Sequence, residues 1–335
     1  MSLQIKSVYL GSNNLAVSPI GLGCMGMSEC YGAADDNESI KTIHRAYEIG
    51  VTHFDTADSY GFGRHNELLL GKAIKSLDRD KLVIATKCGF ERAQNDPDTF
   101  VINNNPDYIK KCCEDSLKYL NLDYIDLFYL HRINPDTPIE VSMQALADLV
   151  QEGKIRNIGL SEVSARTIAK AHAIHPIAAI QSEYSLWSRE AEQEVIPLCK
   201  SLGIGFVAFS PIGRGFFSGK IKTPDTLSDS DGRRYFPRFE AQNISKNLFI
   251  VNVLEEIAKH KNCTSTQIAL AWVLAKGEHI TAIPGTKRIT YLEENANAMN
   301  IMLSQEEIEQ LENKIPYDSV SGCRMPESFA KFSNH

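Results

Sequence analysis

The hydrophobic positions of this chain alternate between short apolar runs and longer segments with helical spacing. The pattern predicts eight strands, each followed by at least one helix, after a short hairpin at about 7–17. The predicted strands lie near Ile20 and at 53–57, 82–87, 125–131, 156–161, 179–184, 205–210 and 280–284. The predicted helices lie at about 35–50, 67–76, 106–119, 138–152, 164–174, 190–202, 247–260, 265–275 and 289–299.

Eight strands that alternate with helices favour an α/β fold, a closed parallel (β/α)8 TIM barrel. An open doubly wound sheet is the alternative. No linker or shift in composition divides the chain, so we expect a single domain over residues 1–335. A segment rich in Gly, Asp and Arg (212–242), a final helix (about 304–314) and an irregular tail (316–335) lie outside the eightfold pattern.

Composition narrows the class of protein. The chain has 335 residues, of which 43% are hydrophobic and 23% charged, and this is typical of an α/β protein in aqueous solution. A net charge of -7 argues against nucleic acid or a membrane surface as the main partner. No apolar run approaches the roughly 20 residues of a membrane-spanning helix, and the start lacks the apolar segment of a signal peptide. Eight cysteines without a Cys-x-x-Cys pair indicate reduced thiols, so we expect a cytoplasmic location.

Ionisable side chains follow three successive predicted strands. Asp55 ends the second strand and Tyr60 follows five residues later, while Lys87 and His131 end the third and fourth strands. A single such residue is usually a solvated cap or turn residue, and a single His is usually structural. Parallel strands, however, bring their carboxyl ends to one face, where α/β proteins bind ligands. The four residues together therefore predict an active site.

One motif argues for a different fold and is rejected. Gly21–Gly26 matches the G-x-G-x-x-G pattern of dinucleotide-binding Rossmann units, in which the glycines open a helix. Here the next helix begins only at Asp35, and no acidic residue ends a strand about 20 residues further on. Metal binding is also not expected, because the nine histidines show no ligand spacing such as H-E-x-x-H.

With these landmarks the chain resembles the aldo-keto reductases over nearly its whole length. The motifs that carry the resemblance are Asp-Thr-Ala-x-x-Tyr at 55–60, Lys87, His131, Gly-Leu-Ser at 159–161, Gln181, Ser-Pro-Ile-Gly-Arg-Gly at 210–215 and Ile-Pro-Gly-Thr-Lys-Arg at 283–288. The sequence of residues 183–189 is similar to that of a subgroup that includes pyridoxal reductases and perakine reductase-like enzymes. The resemblance implies the same barrel and an NADPH-dependent reduction of aldehydes or ketones.

The resemblance also implies a role for each of the four strand-end residues. Tyr60 would be the general acid that protonates the substrate oxygen. A free tyrosine has a pKa of about 10, and the Lys87 ammonium would lower that pKa. Asp55 would pair with Lys87 and hold it, and His131 would hydrogen-bond the substrate oxygen.

Cofactor contacts carry over position by position. Ser161 and Gln181 match residues that hold the nicotinamide carboxamide, and Phe209 matches the ring that stacks on nicotinamide. The other matching positions are Ser210, Ile212, Gly213 and Arg214 for the pyrophosphate, Thr286, Lys287 and Arg288 for the 2′-phosphate of NADP, and Glu294 and Asn295 for adenine. Two positions depart from the family pattern, since Glu162 replaces a frequent Asn and Tyr291 a frequent Arg. The second departure softens the expected preference for NADP over NAD.

Substrate choice is expected to lie with loops at the carboxyl ends of the strands. The candidates are Met27–Tyr31, Phe62, Phe90, Arg132, Trp187 and the tail around 318–329, and most of them are apolar or aromatic. This composition favours a planar aromatic aldehyde such as pyridoxal, with a broad detoxifying reductase as the alternative.

A binding protein is the competing functional class. Potassium-channel β subunits resemble this family, bind NADP and act mainly as channel partners, but they usually carry an added segment before the barrel. This chain is expected to enter its barrel by about residue 19 and has all four strand-end residues, which favours an enzyme. We expect it to act as a monomer, with a homo-oligomer as the alternative.

Overall fold

The computed structural model describes residues 7–93 and 96–330. Its strands are β1 (Val8–Leu10), β2 (Leu15–Val17), β3 (Leu22–Gly23), β4 (His53–Asp55), β5 (Val83–Cys88), β6 (Phe90–Ala93), β7 (Asp96–Ile102), β8 (Leu127–Leu130), β9 (Ile158–Ser161), β10 (Ile177–Glu183), β11 (Gly205–Phe209) and β12 (Ile280–Ala282). Its helices are α1 (Asp36–Glu48), α2 (His65–Ile74), α3 (Pro106–Leu120), α4 (Ile139–Gln151), α5 (Ala165–Ile174), α6 (Val195–Leu202), α7 (Ala241–Lys261), α8 (Ser265–Ala275), α9 (Ile289–Asn297), α10 (Gln305–Lys314) and α11 (Glu327–Ala330).

Eight of these strands form one parallel sheet that closes on itself. The strand order is β12-β11-β10-β9-β8-β5-β4-β3, so every strand lies beside its neighbour in the barrel sequence. Parallel bridges from Ile20 to Ala282 and from Gly23 to Gly285 join the two ends of the sheet. The predicted (β/α)8 barrel is therefore confirmed.

Glycine at position 23 permits this closure. A Cβ atom there would lie 2.8 Å from the carbonyl oxygen of Ile283, the residue that directly follows β12. The glycines of the rejected Rossmann motif thus serve strand packing, because Gly21 is equally close to the carbonyl oxygen of His53. The first helix begins much later, where the Asp35 carboxylate accepts a hydrogen bond from Glu38 N at 2.9 Å.

The barrel has an inner and an outer apolar layer. Inside, Ala85, Leu127 and Val207 pack together with Leu10 of the hairpin formed by β1 and β2. Outside, the sheet packs against the helices through a larger cluster that includes the fully buried Trp272. The core therefore holds the strand ends in fixed positions.

The structure corrects the predicted elements in four places. A hairpin of β6 and β7 between the third strand and α3 was not predicted. Helix α7 begins at Ala241 instead of about residue 247, and the predicted helix at 190–202 is a 3-10 turn (Glu190–Glu192) followed by α6. The tail contains the short helix α11, and residues 331–335 lie outside the described residues.

Candidate active site

The four predicted strand-end residues meet at the carboxyl end of the barrel. Asp55 is the last residue of β4, Lys87 lies in β5, and His131 directly follows β8. Tyr60 lies in the loop between β4 and α2. Asp55 and Lys87 are buried, and the side chain of Tyr60 is partly accessible. The strand register brings Asp55 opposite Ala85, two residues before Lys87.

Lys87 is the centre of this group. Its Nζ donates to Asp55 Oδ1 at 2.5 Å, to the carbonyl oxygen of Thr56 at 2.8 Å and to Tyr60 Oη at 3.3 Å. The rings of Tyr60 and His131 meet edge to face with their centroids 5.7 Å apart. A carbonyl oxygen placed between the phenol and the imidazole would contact both proton-bearing groups.

The pKa of Tyr60 is shifted in the direction opposite to the prediction. Burial, followed by the charges of Asp55 and Glu29, raises the pKa of Tyr60 well above its ordinary value. The expected net lowering is not found, because burial of the phenol and the Asp55 charge raise its pKa. Burial lowers the pKa of Lys87, and the Asp55 carboxylate opposes that lowering. The phenol is therefore protonated at neutral pH, as a proton donor must be.

His131 is uncharged in this environment. Burial, the neighbouring Arg132 and then Lys87 lower its pKa well below the ordinary value. Its Nδ1 atom is buried and has no hydrogen-bond partner within residues 7–93 and 96–330. The ring of Phe90 from β6 packs edge-on against it at 4.8 Å. A neutral imidazole held in this way can donate or accept one hydrogen bond at the substrate.

The two residues predicted to hold the carboxamide lie beside this group. The amide nitrogen of Gln181 donates to Asp55 Oδ2 at 2.8 Å, so Gln181 also orients the Asp55 carboxylate. The Ser161 hydroxyl accepts a hydrogen bond from Arg132 at 3.2 Å. Phe209 ends β11 on the same rim and is half-buried.

The predicted pyrophosphate loop follows β11. Ser210, Gly213 and Arg214 have positive φ values of 50°, 57° and 54°, so the loop turns tightly over the barrel end. Ile212 is half-buried against the outer core. The Arg214 guanidinium donates to Glu183 Oε2 at 3.1 Å, so in this structure the arginine is paired within the protein.

The predicted 2′-phosphate residues lie before α9. Arg288 is exposed and stands at the start of α9, which has no capping side chain at that end. The hydroxyl of Thr286 accepts a hydrogen bond from Arg288 N at 3.1 Å. Lys287 Nζ instead donates to three backbone carbonyls, those of Tyr31, Gly32 and Ala33. In this structure Lys287 therefore holds the loop that contains those three carbonyls.

The two predicted adenine residues lie on α9. Asn295 is buried, and the carboxylate of Glu294 accepts a hydrogen bond from the Thr264 hydroxyl at 2.7 Å. All of the predicted cofactor residues therefore lie at or after the carboxyl ends of β9 to β12, or on α9.

Two of the predicted substrate positions lie at the surface near Tyr60, and a third lies in the core. The loop containing Met27–Tyr31 lines a cavity of about 420 Å³ together with His65, and Phe62, close to Tyr60 in the chain, is 79% exposed. Trp187 was assigned wrongly, because it is 3% exposed and stacks on Phe216 with centroids 5.0 Å apart. It belongs to the core.

The contacts of several charged residues near the site were not predicted from the sequence. The carboxylate of Glu162 accepts from Arg324 of the tail at 2.7 Å and from Glu183 N at 2.9 Å. The Arg324 and Arg132 guanidiniums outweigh burial and lower the pKa of Glu162 to about 2. Glu29, from the loop after β3, and Arg92, from β6, contact the chain beside Tyr60. In the sequence these residues are recognisable only as charged, and charge alone does not indicate which distant residue is the partner.

Within residues 7–93 and 96–330, no group of three or more His, Cys, Asp or Glu side chains is placed to hold a metal ion. None of the helices described is both long and apolar enough to cross a membrane. All eight cysteines of the chain are free thiols.

A parallel barrel with paired ionisable groups at the carboxyl ends of its strands defines an α/β-barrel enzyme. Residues 19–316 match the model of the aldo/keto reductase family, and the chain belongs to that family of oxidoreductases. It is 44% identical to a probable aldo-keto reductase 1 of Glycine max, over 98% of this chain and 94% of that protein.

Solved structures show the same architecture. The glycerol dehydrogenase of Gluconobacter oxydans has a TM-score of 0.84 and 27% identity, covering 96% of this chain and 99% of that chain. An aldo/keto reductase of Klebsiella pneumoniae, solved with NADP and acetate, has a TM-score of 0.73 and 26% identity, covering 93% of this chain and 96% of that chain. The predicted fold and family are thus confirmed, and the subgroup remains a prediction.

Proposed function

We propose that residues 1–335 form a single-domain enzyme that reduces aldehydes and ketones to alcohols with NADPH, with Tyr60 as the general acid. The observation that carries the proposal is the contact set of Lys87 Nζ, which lies 2.5 Å from Asp55 and 3.3 Å from the Tyr60 phenol. A buried ammonium shared by a carboxylate and a phenol stabilises negative charge on the phenol while its proton leaves.

The residues of this chain divide the reaction between them. Bound NADPH would supply the hydride that reaches the carbonyl carbon. His131 and Tyr60 hold the carbonyl oxygen, and the Tyr60 proton moves to that oxygen as the C=O bond becomes a C–OH group. Lys87 compensates the phenolate that remains, and Asp55 keeps Lys87 in place with support from Gln181.

The cofactor proposal rests on the fit of the residues around α9. The first amide groups of a helix without a capping side chain are available to a phosphate, and the exposed Arg288 guanidinium lies at the same end. The NADP bound to the Klebsiella pneumoniae relative supports the same cofactor here. The rim at Ser161, Gln181 and Phe209 is the proposed nicotinamide end of the groove.

Arg288→Ala is expected to weaken NADPH binding while NADH binding stays unchanged. Only NADPH carries the 2′-phosphate, and a charge-assisted hydrogen bond contributes roughly 1.5–3 kcal/mol, which is a loss of about 10-fold or more. Fluorescence titration of both cofactors measures the effect, with Arg166→Ala on exposed α5 as the matched control. Equal weakening of NADPH and NADH would contradict the 2′-phosphate assignment.

For the substrate we propose a planar aromatic aldehyde, with pyridoxal as the first candidate. Phe90 packs beside His131, and the Arg132 guanidinium lies over the Phe90 ring at 5.7 Å, so one side of the proposed site is aromatic. The loss of Trp187 from the pocket reduces the aromatic surface, which keeps a broad detoxifying reductase as the second candidate.

A four-substrate panel is expected to rank pyridoxal and 4-nitrobenzaldehyde above methylglyoxal and glucose in kcat/KM. The aromatic rings can stack against the site, whereas a small or polyhydroxylated carbonyl compound cannot. The panel is measured with NADPH at one pH and one enzyme concentration. A flat ranking supports the broad reductase, and a clear preference for glucose excludes an aromatic pocket.

The same panel separates an enzyme from an accessory subunit. An NADP-binding sensor that resembles potassium-channel β subunits would bind NADPH and turn over none of the four compounds at a useful rate. We further propose that the protein acts as a monomer in the cytoplasm, where its eight free thiols stay reduced. Light scattering of the purified protein tests the monomer.

A further inference from the structure

Two charged side chains, distinct from the four strand-end residues, hold the backbone on either side of Tyr60. Glu29, from the loop after β3, accepts a hydrogen bond from Gly61 N at 3.0 Å. Arg92, from β6, donates to the carbonyl oxygen of Ser59 at 2.6 Å. Arg92 also pairs with Glu29 at 3.3 Å, so the two contacts are joined.

The segment they hold has little support of its own. The hydrogen bonds of Tyr60 itself are long: its N donates to the carbonyl oxygen of Ala57 at 3.3 Å, its carbonyl oxygen accepts from Asn66 N at 3.2 Å, and its phenol accepts from Lys87 at 3.3 Å. Gly61 and Gly63 follow with positive φ values of 72° and 64°, and glycines give the chain more freedom than any other residue. Contacts from outside the loop are therefore needed to fix the phenol.

Each member of the pair is itself anchored. The Arg92 guanidinium lies over the ring of Phe100 at 4.4 Å, within the hairpin of β6 and β7. Glu29 lies in the chain next to Cys30, whose carbonyl oxygen accepts a hydrogen bond from Gly232 N at 2.8 Å. Two loops from different parts of the barrel thus converge on three consecutive residues, 59–61.

We propose that Glu29 and Arg92 form a clamp that positions Tyr60 for proton transfer. They are positioning residues, because they touch the backbone beside Tyr60 and not the reacting atoms. The proposal rests on the proposed role of Tyr60, and it assigns a function to the hairpin of β6 and β7.

Arg92→Ala is expected to lower kcat about 10- to 100-fold, since displacements near 1 Å in an active site have effects of this size. NADPH affinity and the melting temperature should stay near those of the wild type. Arg92→Lys, which keeps a donor and the charge, should recover part of the lost activity. Arg166→Ala serves as the control for removal of an exposed arginine.

A double variant tests whether the clamp acts through Tyr60. If it does, Tyr60→Phe with Arg92→Ala is no slower than Tyr60→Phe alone, because effects through one group do not add. The solvent deuterium isotope effect on kcat should also rise in Arg92→Ala, as proton transfer becomes slower. If Arg92→Ala only loosened the fold, it would slow Tyr60→Phe further and would leave the solvent isotope effect unchanged.

The experiments distinguish a failure of the clamp proposal from a failure of the role proposed for Tyr60. The clamp is overturned if folded Arg92→Ala has the kcat of the wild type. It is also overturned if Arg92→Ala lowers kcat by the same factor in the wild-type enzyme and in Tyr60→Phe. Full turnover by Tyr60→Phe instead overturns the role of Tyr60, whatever the clamp variants do. If Arg92→Ala no longer binds NADPH, Glu29→Ala takes its place, and unchanged kcat in that variant again overturns the proposal.

Discussion

Tyr60→Phe is expected to remove nearly all turnover while NADPH binding stays nearly intact. The substitution removes only the phenol oxygen, so the ring keeps its edge-to-face contact with His131. Loss of a general acid typically slows a reaction about 10²- to 10⁴-fold. Steady-state kcat with saturating NADPH and aldehyde measures the loss, and fluorescence titration measures cofactor binding.

The structure also fixes the interpretation of that experiment. Because burial and Asp55 raise the pKa of Tyr60, the phenol is protonated at neutral pH and gives its proton only as charge develops on the substrate oxygen. Reduction should then decline only on the alkaline side, where the phenol itself ionises. A Tyr60→Phe enzyme with wild-type kcat would assign the proton to another group, of which His131 is the nearest.

Much of the barrel could be predicted because its signal is local. Each strand is a short apolar run such as Val83–Cys88, and a segment with helical spacing follows it. The hairpin of β6 and β7 could not be found in this way. Its sequence from Phe90 to Ile102 is rich in charged and turn-forming residues, and its pairing depends on two strands that meet over the active site.

The predicted active-site residues were found for a related reason. Strand ends of a parallel barrel share one face, so the positions of Asp55, Lys87 and His131 in the sequence already place them together. The direction of the pKa shift of Tyr60 could not be predicted, since it depends on the burial of the phenol and on the charges of Asp55 and Glu29 near it.

Contacts between distant loops were the other omission. Arg324 meets Glu162 across 162 residues of chain, and Arg92 meets Glu29 across 63. A charged residue in a loop is usually solvated, and nothing in the sequence around it names a buried partner. The error at Trp187 is of the same kind, because an aromatic residue near a strand end suits a pocket as well as a core.

Lys87→Met is expected to reduce both turnover and stability. Loss of the ammonium removes the positive charge that lies 3.3 Å from the Tyr60 phenol, and removal of one preorganised electrostatic group typically costs about 10²- to 10³-fold in kcat. It also leaves the buried Asp55 carboxylate without its partner, and breaking a buried pair typically destabilises a protein by about 3–5 kcal/mol. Activity assays and chemical denaturation measure the two effects separately.

The double variant Asp55→Asn with Lys87→Met separates chemistry from folding. It removes both buried charges, so the free energy of unfolding should recover most of what Lys87→Met loses. The carboxamide introduced by Asp55→Asn can still accept a hydrogen bond from Gln181, which now donates to the Asp55 carboxylate at 2.8 Å. Activity should stay as low as in Lys87→Met, because neither variant carries the ammonium 3.3 Å from the phenol. If activity returned together with stability, Lys87 would serve the fold alone, and the charge that assists Tyr60 would have to come from Arg132, whose guanidinium also acts on the phenol.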